Sequence, residues 1–290
     1  MDYNLNQLQR DIHAHYAAEH DALGDTGMHA QLEHARRWDL APLLRAGGVA
    51  VFPHAGVADC GHQIAAVVHA CLDSGADTVL VVSVLHAFTD EMEQARRQVA
   101  QGVPPNTFRH HGIQGPGLDR GDEWRGDHAL FSFRRFWEYE TARRGVRGPR
   151  VIERYPYLAG GNPELLPGIA ELQLIARDAV IVSTADPFHH GIGYGTPPAA
   201  AQMPHEGGLD QARASIEDGI AILARGDYPA YNQHCVAAKS DARDAGQVFR
   251  YLRGMLRGTI LDLTFSDASV LYQSPPPTWV AAALIAYAAL

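Results

Sequence analysis

Three short runs constrain this chain more than any other feature. Residues 49–52 (VAVF), 78–85 (TVLVVSVL) and 179–183 (AVIVS) are rich in Val or Ile and apolar on neighbouring positions. Side chains alternate across a strand, so a strand with one wet face alternates in polarity. Runs apolar on both parities belong to strands covered on both faces, as in a parallel sheet. Between the first two runs, residues 62–73 repeat their apolar positions with helical spacing, and Gly75 ends the pattern. Strand, helix, strand in that order is the unit that builds parallel sheets. The expected fold class is α/β, with a central, mostly parallel sheet flanked by helices.

The remaining pattern fits around that unit. Residues 5–46 read as helical, with Leu5, Leu8, Ile12 and His15 on one face and Trp38, Leu40, Leu43 and Leu44 in a second cluster. Gly47-Gly48 stops this segment. Residues 128–143, 210–225 and 245–256 read as helices, and 151–158 as a strand. Residues 99–127 and 191–208, rich in Pro and Gly, read as long loops, a common place for function. The end alternates through 259–263, a polar stretch to Pro277, and 280–288. No repeat and no dividing linker is visible. One α/β domain over 1–290 is expected, with 1–46 as a helical extension and 47–290 as the core.

Composition excludes several classes. At 46% hydrophobic and 20% charged residues, the chain is globular rather than disordered. A net charge of −9 argues against a nucleic-acid partner, since such binding needs many Lys and Arg to neutralise phosphates. No apolar run approaches the roughly 18–20 residues of a membrane span, so no membrane partner is expected. The start, MDYNLNQLQRD, has neither the basic nor the apolar region of a secretory signal. Cys60, Cys71 and Cys235 form no CxxC and no even framework, which points to a reduced, cytoplasmic setting.

The polar residues that interrupt the pattern carry the chemistry. The first run leads into Pro53-His54-Ala55-Gly56, the second into His86-Ala87-Phe88, and the third into Asp186-Pro187-Phe188-His189-His190-Gly191. Ligands of open parallel sheets bind outside the carboxyl ends of the strands. Imidazoles meeting there can hold a metal and leave another histidine for proton transfer. Two histidines and one carboxylate on one face leave open positions on iron for O2 and substrate. His54 and His86 supply the imidazoles. The acidic turn at residues 240–246 (SDARDAG) is the best source of the carboxylate. Asp244 would sit near the N-terminus of the following helix; Asp241 competes with it and otherwise serves as the helix cap.

Other candidates read as structural. His110-His111 lies in a loop and is expected at the surface. His62 and His69 lie on a helix, packed or exposed, and Cys60 and Cys71 read as small buried hydrophobes. The GIGYG segment lacks the remainder of a dinucleotide fingerprint.

At these residues the chain resembles the Memo-like family and its relatives, the class III (LigB-type) extradiol dioxygenases. VAVFPHAGVADCG is similar to the family's apolar strand followed by PHAG and CG. VLVVSVLHAF resembles the strand that ends in Ser-His-His, with His86 at the second histidine. VIVSTADPFHHG resembles V-S-S-D-x-x-H-x-G, with His189 at its histidine, and WVAAALIAYAA resembles the closing strand. The similarity runs through most of residues 47–290.

The resemblance implies an α/β fold with the site at strand ends. It also implies Fe(II) held by His54 and His86, with His189 as the acid–base group. Memo-like proteins place a cysteine at the last ligand position and dioxygenases a glutamate. This chain aligns neither, Cys235 lying too early, and Asp244 or Asp241 is nearest. The family's E-H-S-I-E-x-H helix becomes Asp127-His128-Ala129-Leu130-Phe131-Ser132-Phe133. His128 survives to contact substrate or oxygen. The later Glu and His become Phe131 and Phe133, which with Trp137 are expected to line an apolar ring pocket.

The expected function is a non-haem Fe(II)-dependent dioxygenase using O2 on a small catechol- or aminophenol-like substrate, ring cleavage included. The alternatives are a zinc-dependent hydrolase and a non-catalytic Memo-like binding or scaffold protein. Assembly into a homo-oligomer is left open.

Overall fold

A computed structural model describes residues 5–290, apart from the Asn6 side chain. Residues 1–4 of the expected N-terminal extension lie outside the described residues. The elements are, in order, α1 (Leu5–Ala35), α2 (Ala41–Arg45), β1 (Val49–Phe52), α3 (Val57–Asp73), β2 (Thr78–Val82), α4 (Asp90–Ala100), β3 (Gly112–Gln114), α5 (Phe131–Arg144) and β4 (Arg150–Tyr157). They continue with α6 (Ile169–Asp178), β5 (Val180–Thr184), β6 (Phe188–Gly191), α7 (Gly208–Ala224), α8 (Tyr228–Ala238), α9 (Arg243–Arg253), β7 (Leu256–Asp267) and β8 (Thr278–Ala289).

The eight strands form one mixed sheet in the order β3-β4-β2-β5-β1-β8-β6, with β7 also paired to β8. Its centre, β4-β2-β5-β1, is parallel, and antiparallel strands close both margins. The α/β class with a mostly parallel central sheet between helices is therefore present.

The doubly apolar runs behave as their composition requires. Ala50, Phe52, Val79, Val81 and Val182 face one hydrophobic layer with α1, α3 and α5. Val49, Val51, Leu80, Val82 and Ile181 face the other, with α6, α7, α8 and α9. Burying each Val or Ile contributes roughly 1.5–3 kcal/mol, so both faces hold these strands.

Several boundaries differ from expectation. The helical stretch 5–46 is broken into α1 and α2, and α1 bends at Gly24, whose φ of 56° the L-residues disfavour. The expected strand 78–85 stops pairing at Val82. Ser83 still donates its N–H to the Arg154 carbonyl (2.8 Å), and Val84 and Leu85 then leave the sheet but stay buried. Their apolar character reflects packing under the strand ends rather than pairing. The helix expected at 245–256 is α9, and Leu256 already begins β7. The two apolar stretches near the C-terminus form the long antiparallel pair β7–β8, with a bulge between Ile260 and Asp262.

The edge of β8 away from β7 is shared. β1 pairs with its far half (Val49↔Tyr287 to Val51↔Ile285), and β6 with its near half (Phe188↔Ala281 to Gly191↔Thr278). After β5 the chain crosses to lie beyond the end of β1. His54 and Asp186 sit at that junction. Among the described residues, no helix is long and apolar enough to cross a membrane.

Candidate functional site

His54 follows β1 by two residues, His86 follows β2 by four, and Asp186 follows β5 by two. All three therefore stand at the carboxyl ends of parallel strands. Asp241 arrives from the turn before α9 and meets them. The ring centroids of His54 and His86 are 5.2 Å apart, and His128, just before α5, stacks on His86 at 4.3 Å.

Each imidazole is held by one nitrogen and offers the other. His54 Nδ1 contacts Thr184 Oγ1 at 3.1 Å, while its Nε2 lies 3.1 Å from Asp241 Oδ2. His86 Nδ1 contacts both Asp127 oxygens at 3.1–3.2 Å, and its Nε2 lies 3.7 Å from the same Asp241 Oδ2. The buried carboxylates also pin backbone. Asp186 Oδ1 accepts the His54 N–H (3.0 Å), Asp241 Oδ1 accepts the Asp186 N–H (2.7 Å), and Asp127 accepts the N–H groups of His86 and Ala129. Five segments from distant parts of the chain thereby meet in one cluster.

The electrostatics follow from burial and these contacts. Burial alone would lower the His54 imidazole, but Asp186 and Asp241 outweigh it and raise it. Burial likewise opposes charge on His86, yet Asp127 and then Asp241 push it up to about 10. Burial raises Asp186 to about 6, against the pull of His54. Asp241 is held far below the usual carboxylate range; burial opposes this, and His54 and His86 overcome it. His128 and His189 go the other way. Burial lowers both, the latter to about 4, so both are neutral at neutral pH.

The cluster fits a divalent cation. Asp241 Oδ2 is buried and satisfies no hydrogen bond despite its two imidazole neighbours, and His128 Nδ1 and His189 Nδ1 are likewise unsatisfied. Ligand atoms about 2.1 Å from one ion stand roughly 3.0–3.4 Å apart in octahedral or tetrahedral geometry. The 3.1 Å and 3.7 Å separations about Asp241 Oδ2 are close to that. One ligand atom each from His54, His86 and His128 also falls within a 4.8 Å group, as does one each from His54, Asp186 and Asp241. Partners on the second ring nitrogen, such as Asp127 and Thr184, are what metal-binding histidines ordinarily have.

Asp244 is not in this cluster. Its carboxylate turns away to accept the N–H groups of Leu158 (3.1 Å) and Ala159 (2.8 Å). Asp241 does not cap α9 either: Ala242 is the cap residue, with no side-chain cap bond.

The cluster lies in a cleft of about 830 Å3. His189 reaches it from β6, where strand alternation turns Phe188 and His190 towards Trp279 and leaves His189 on the cleft side. Ile12 and Tyr16 of α1, Phe88 and Leu271 form an apolar wall, with the Tyr16 ring 5.5 Å from His128. Phe131, Phe133 and Trp137 do not line the cleft as expected. Phe133 stacks on Phe52 at 5.1 Å with Trp137 behind it, and Phe131 packs on Tyr16 and His20. The α5 side chains that helical spacing turns towards the sheet become core.

His110 is buried rather than solvated, with Nδ1 2.8 Å from Glu123. His62 and His69 pack against Asp262 (2.9 Å) and Glu140 (3.3 Å), and all three cysteines are buried and free. Sequence reasoning gave no role to Asp127 or Asp186. The adjacent Asp127-His128 pair was the available signal for the first. Comparison with protein-family models and with curated proteins finds no match for the chain.

Proposed function

We propose that this chain is a non-haem Fe(II)-dependent dioxygenase acting on a small catechol- or aminophenol-like molecule, with His54, His86 and Asp241 as the iron ligands. The observation that carries this reading is the convergence of two Nε2 atoms on one unsatisfied carboxylate oxygen, each imidazole being fixed through its other nitrogen. Two imidazoles and one carboxylate suit non-haem iron with positions left open. The PHAG and D-P-F-H segments support placing the sheet with those of the class III extradiol dioxygenases and Memo-like proteins. The three free, buried cysteines are consistent with a reducing, cytoplasmic setting.

Iron, when bound, supplies adjacent positions for substrate and O2 and a path for electron density between them. The chain supplies the remainder. Asp127 and Thr184 orient the ligand imidazoles. The wall formed by Ile12, Tyr16, Phe88 and Leu271 takes an aromatic ring and excludes water. Neutral His128 and His189, each with Nδ1 unsatisfied, are placed to accept a proton from a substrate hydroxyl and return it later.

The test is metal content with oxygen uptake. Anaerobic titration is expected to load about one Fe(II) per chain, and His54→Ala to abolish loading. Catechol or 2-aminophenol is then expected to drive oxygen consumption. A second reading rests on His128: three imidazoles near one carboxylate also suit zinc with an open water position. Stoichiometric zinc without oxygen consumption would favour a hydrolase, and absence of any metal a binding or scaffold protein.

Asp127→Asn tests the orienting role. The single asparagine oxygen still accepts one of the two N–H groups that the Asp127 oxygens take from His86 and Ala129, but the charge that steadies His86 is gone. Metal affinity is expected to fall about 10–100-fold with the fold retained. Unchanged affinity by calorimetry would show that Asp127 only ties the loop.

A further inference from the structure

We infer that the N-terminal helix α1 contributes a polar group to the site: the Tyr16 hydroxyl donates a hydrogen bond to a ring hydroxyl of the bound aromatic molecule and selects for phenols. Tyr16 is thereby a specificity-determining residue of the proposed dioxygenase, a role that rests on that reading for its catalytic meaning but not for its binding test. α1 lies outside residues 47–290, the stretch that carries the family resemblance.

Tyr16 sits on the face of α1 turned into the cleft, with Ile12 one turn before it. Its ring stands 5.5 Å from that of His128, which stacks on His86, so the phenol borders the metal cluster. The residue is 6% exposed. Burial first, and Asp186 after it, hold the phenol well above its ordinary pKa, so the hydroxyl remains a donor. Asp186 and Glu19 both lie within electrostatic reach of it, but their oxygens serve elsewhere. Asp186 Oδ1 takes the His54 N–H, and Glu19 Oε2 takes the Val57 N–H at 3.2 Å. Among the described residues the Tyr16 hydroxyl makes no hydrogen bond.

A buried phenol ordinarily finds a partner for its O–H. Here the open place lies between the apolar wall and the metal cluster, where a ring held by that wall carries its hydroxyl towards the metal. A ligand oxygen there completes the donor. A methyl group leaves it unpaired, and an unpaired buried donor is what rejects an isostere. Glu19, one turn after Tyr16, sets the depth of the helix by joining α1 to Val57, the first residue of α3 and three positions after His54. Ser266 Oγ closes the same joint, accepting the Gly56 N–H (3.2 Å) and donating to Asp59 (2.8 Å). A methyl group at Gly56 would stand 2.6 Å from Ser266 Oγ and 3.0 Å from Glu19 Oε1, so the helix and the His54 loop meet without slack.

Calorimetry on the full-length chain, dialysed against chelator, compares phenol with toluene, which has a methyl group where phenol has its hydroxyl. Neither ligand needs iron or O2. Wild type is expected to bind phenol at least about threefold more tightly than toluene. Tyr16→Phe is expected to weaken phenol binding about three- to tenfold and to leave toluene binding within about twofold of wild type. A purely packing role for the ring would change both alike. Glu19→Ala, which frees α1 from Val57, is expected to lower the preference for phenol, and Glu19→Gln, whose amide oxygen still accepts the N–H, to keep it. Circular dichroism checks that the variants fold; if Tyr16→Phe does not, the wild-type preference and the two Glu19 variants decide. Failure of wild type to bind phenol, equal binding of the two ligands, or a preference intact in Tyr16→Phe would overturn the role of the hydroxyl. Oxygen uptake with catechol tests the dioxygenase reading separately, so either idea can fail alone.

Discussion

Asp241→Ala is expected to weaken metal binding by about 100-fold or more, measured by anaerobic Fe(II) titration or by calorimetry with zinc. Removing a partner of a ligand typically costs 10–100-fold, and removing a charged ligand should cost at least the upper end. Asp241 Oδ2 is the one atom near both free imidazole nitrogens, at 3.1 Å from His54 and 3.7 Å from His86. Without it the cation keeps the imidazoles and the more distant Asp186 carboxylate, whose Oδ2 lies 3.6 Å from His54 Nε2, and loses a full negative charge from its surroundings.

The other oxygen, Oδ1, accepts the Asp186 N–H at 2.7 Å, so alanine also leaves that donor unsatisfied. That loss costs about 1–3 kcal/mol of stability. Asp241→Asn separates the two effects, because the amide oxygen still accepts the N–H while the charge is gone. It should fold with near-normal stability and still bind metal poorly. Metal affinity unchanged in both variants would remove Asp241 from the ligand set and leave His54, His86 and His128 as the coordinating group.

What the sequence revealed, and what it concealed, follows from the range of the interactions involved. The strands β1, β2 and β5 were readable because double-sided burial leaves a local mark, Val and Ile on consecutive positions. Histidines beyond those strands were readable because an imidazole stands out against an apolar run. Helices α4, α6 and α8 went unassigned, although Thr89 caps α4 by accepting the Met92 N–H and Asp90, Glu91 and Glu93 fill its first turn. Their apolar faces are narrow and break no strong pattern.

The choice between Asp241 and Asp244 was not local at all. Both lie in one acidic turn, and what separates them is the loop at Leu158 and Ala159, more than 80 residues away in the chain. Burial of Phe133, with Trp137 half-buried behind it, was hidden for the same reason, since helical spacing gives a face but not what it meets. The edge of β8 shared by β1 and β6, which brings His189 back to His54, is a matter of tertiary register with no sequence mark.

Asp244→Ala is expected to cost about 2–6 kcal/mol of stability in urea unfolding while leaving metal stoichiometry of the folded protein unchanged. Asp244 is 8% exposed, and its two oxygens accept the N–H groups of Leu158 and Ala159, both fully buried residues. Alanine leaves two buried donors without acceptors, at about 1–3 kcal/mol each. Leu158 adds to the demand. Its φ of 60° lies in the left-handed region, which a leucine occupies only when its surroundings enforce it. The carboxylate holds that turn by gripping two successive N–H groups, and it joins the start of α9 to the end of β4 in doing so. Asp244→Asn should cost about half as much, since one acceptor oxygen remains. A loss below about 1 kcal/mol for Asp244→Ala would mean that the turn keeps its conformation without the carboxylate. Loss of metal from an otherwise stable Asp244→Ala protein would instead return Asp244 to the metal site and displace Asp241 from it.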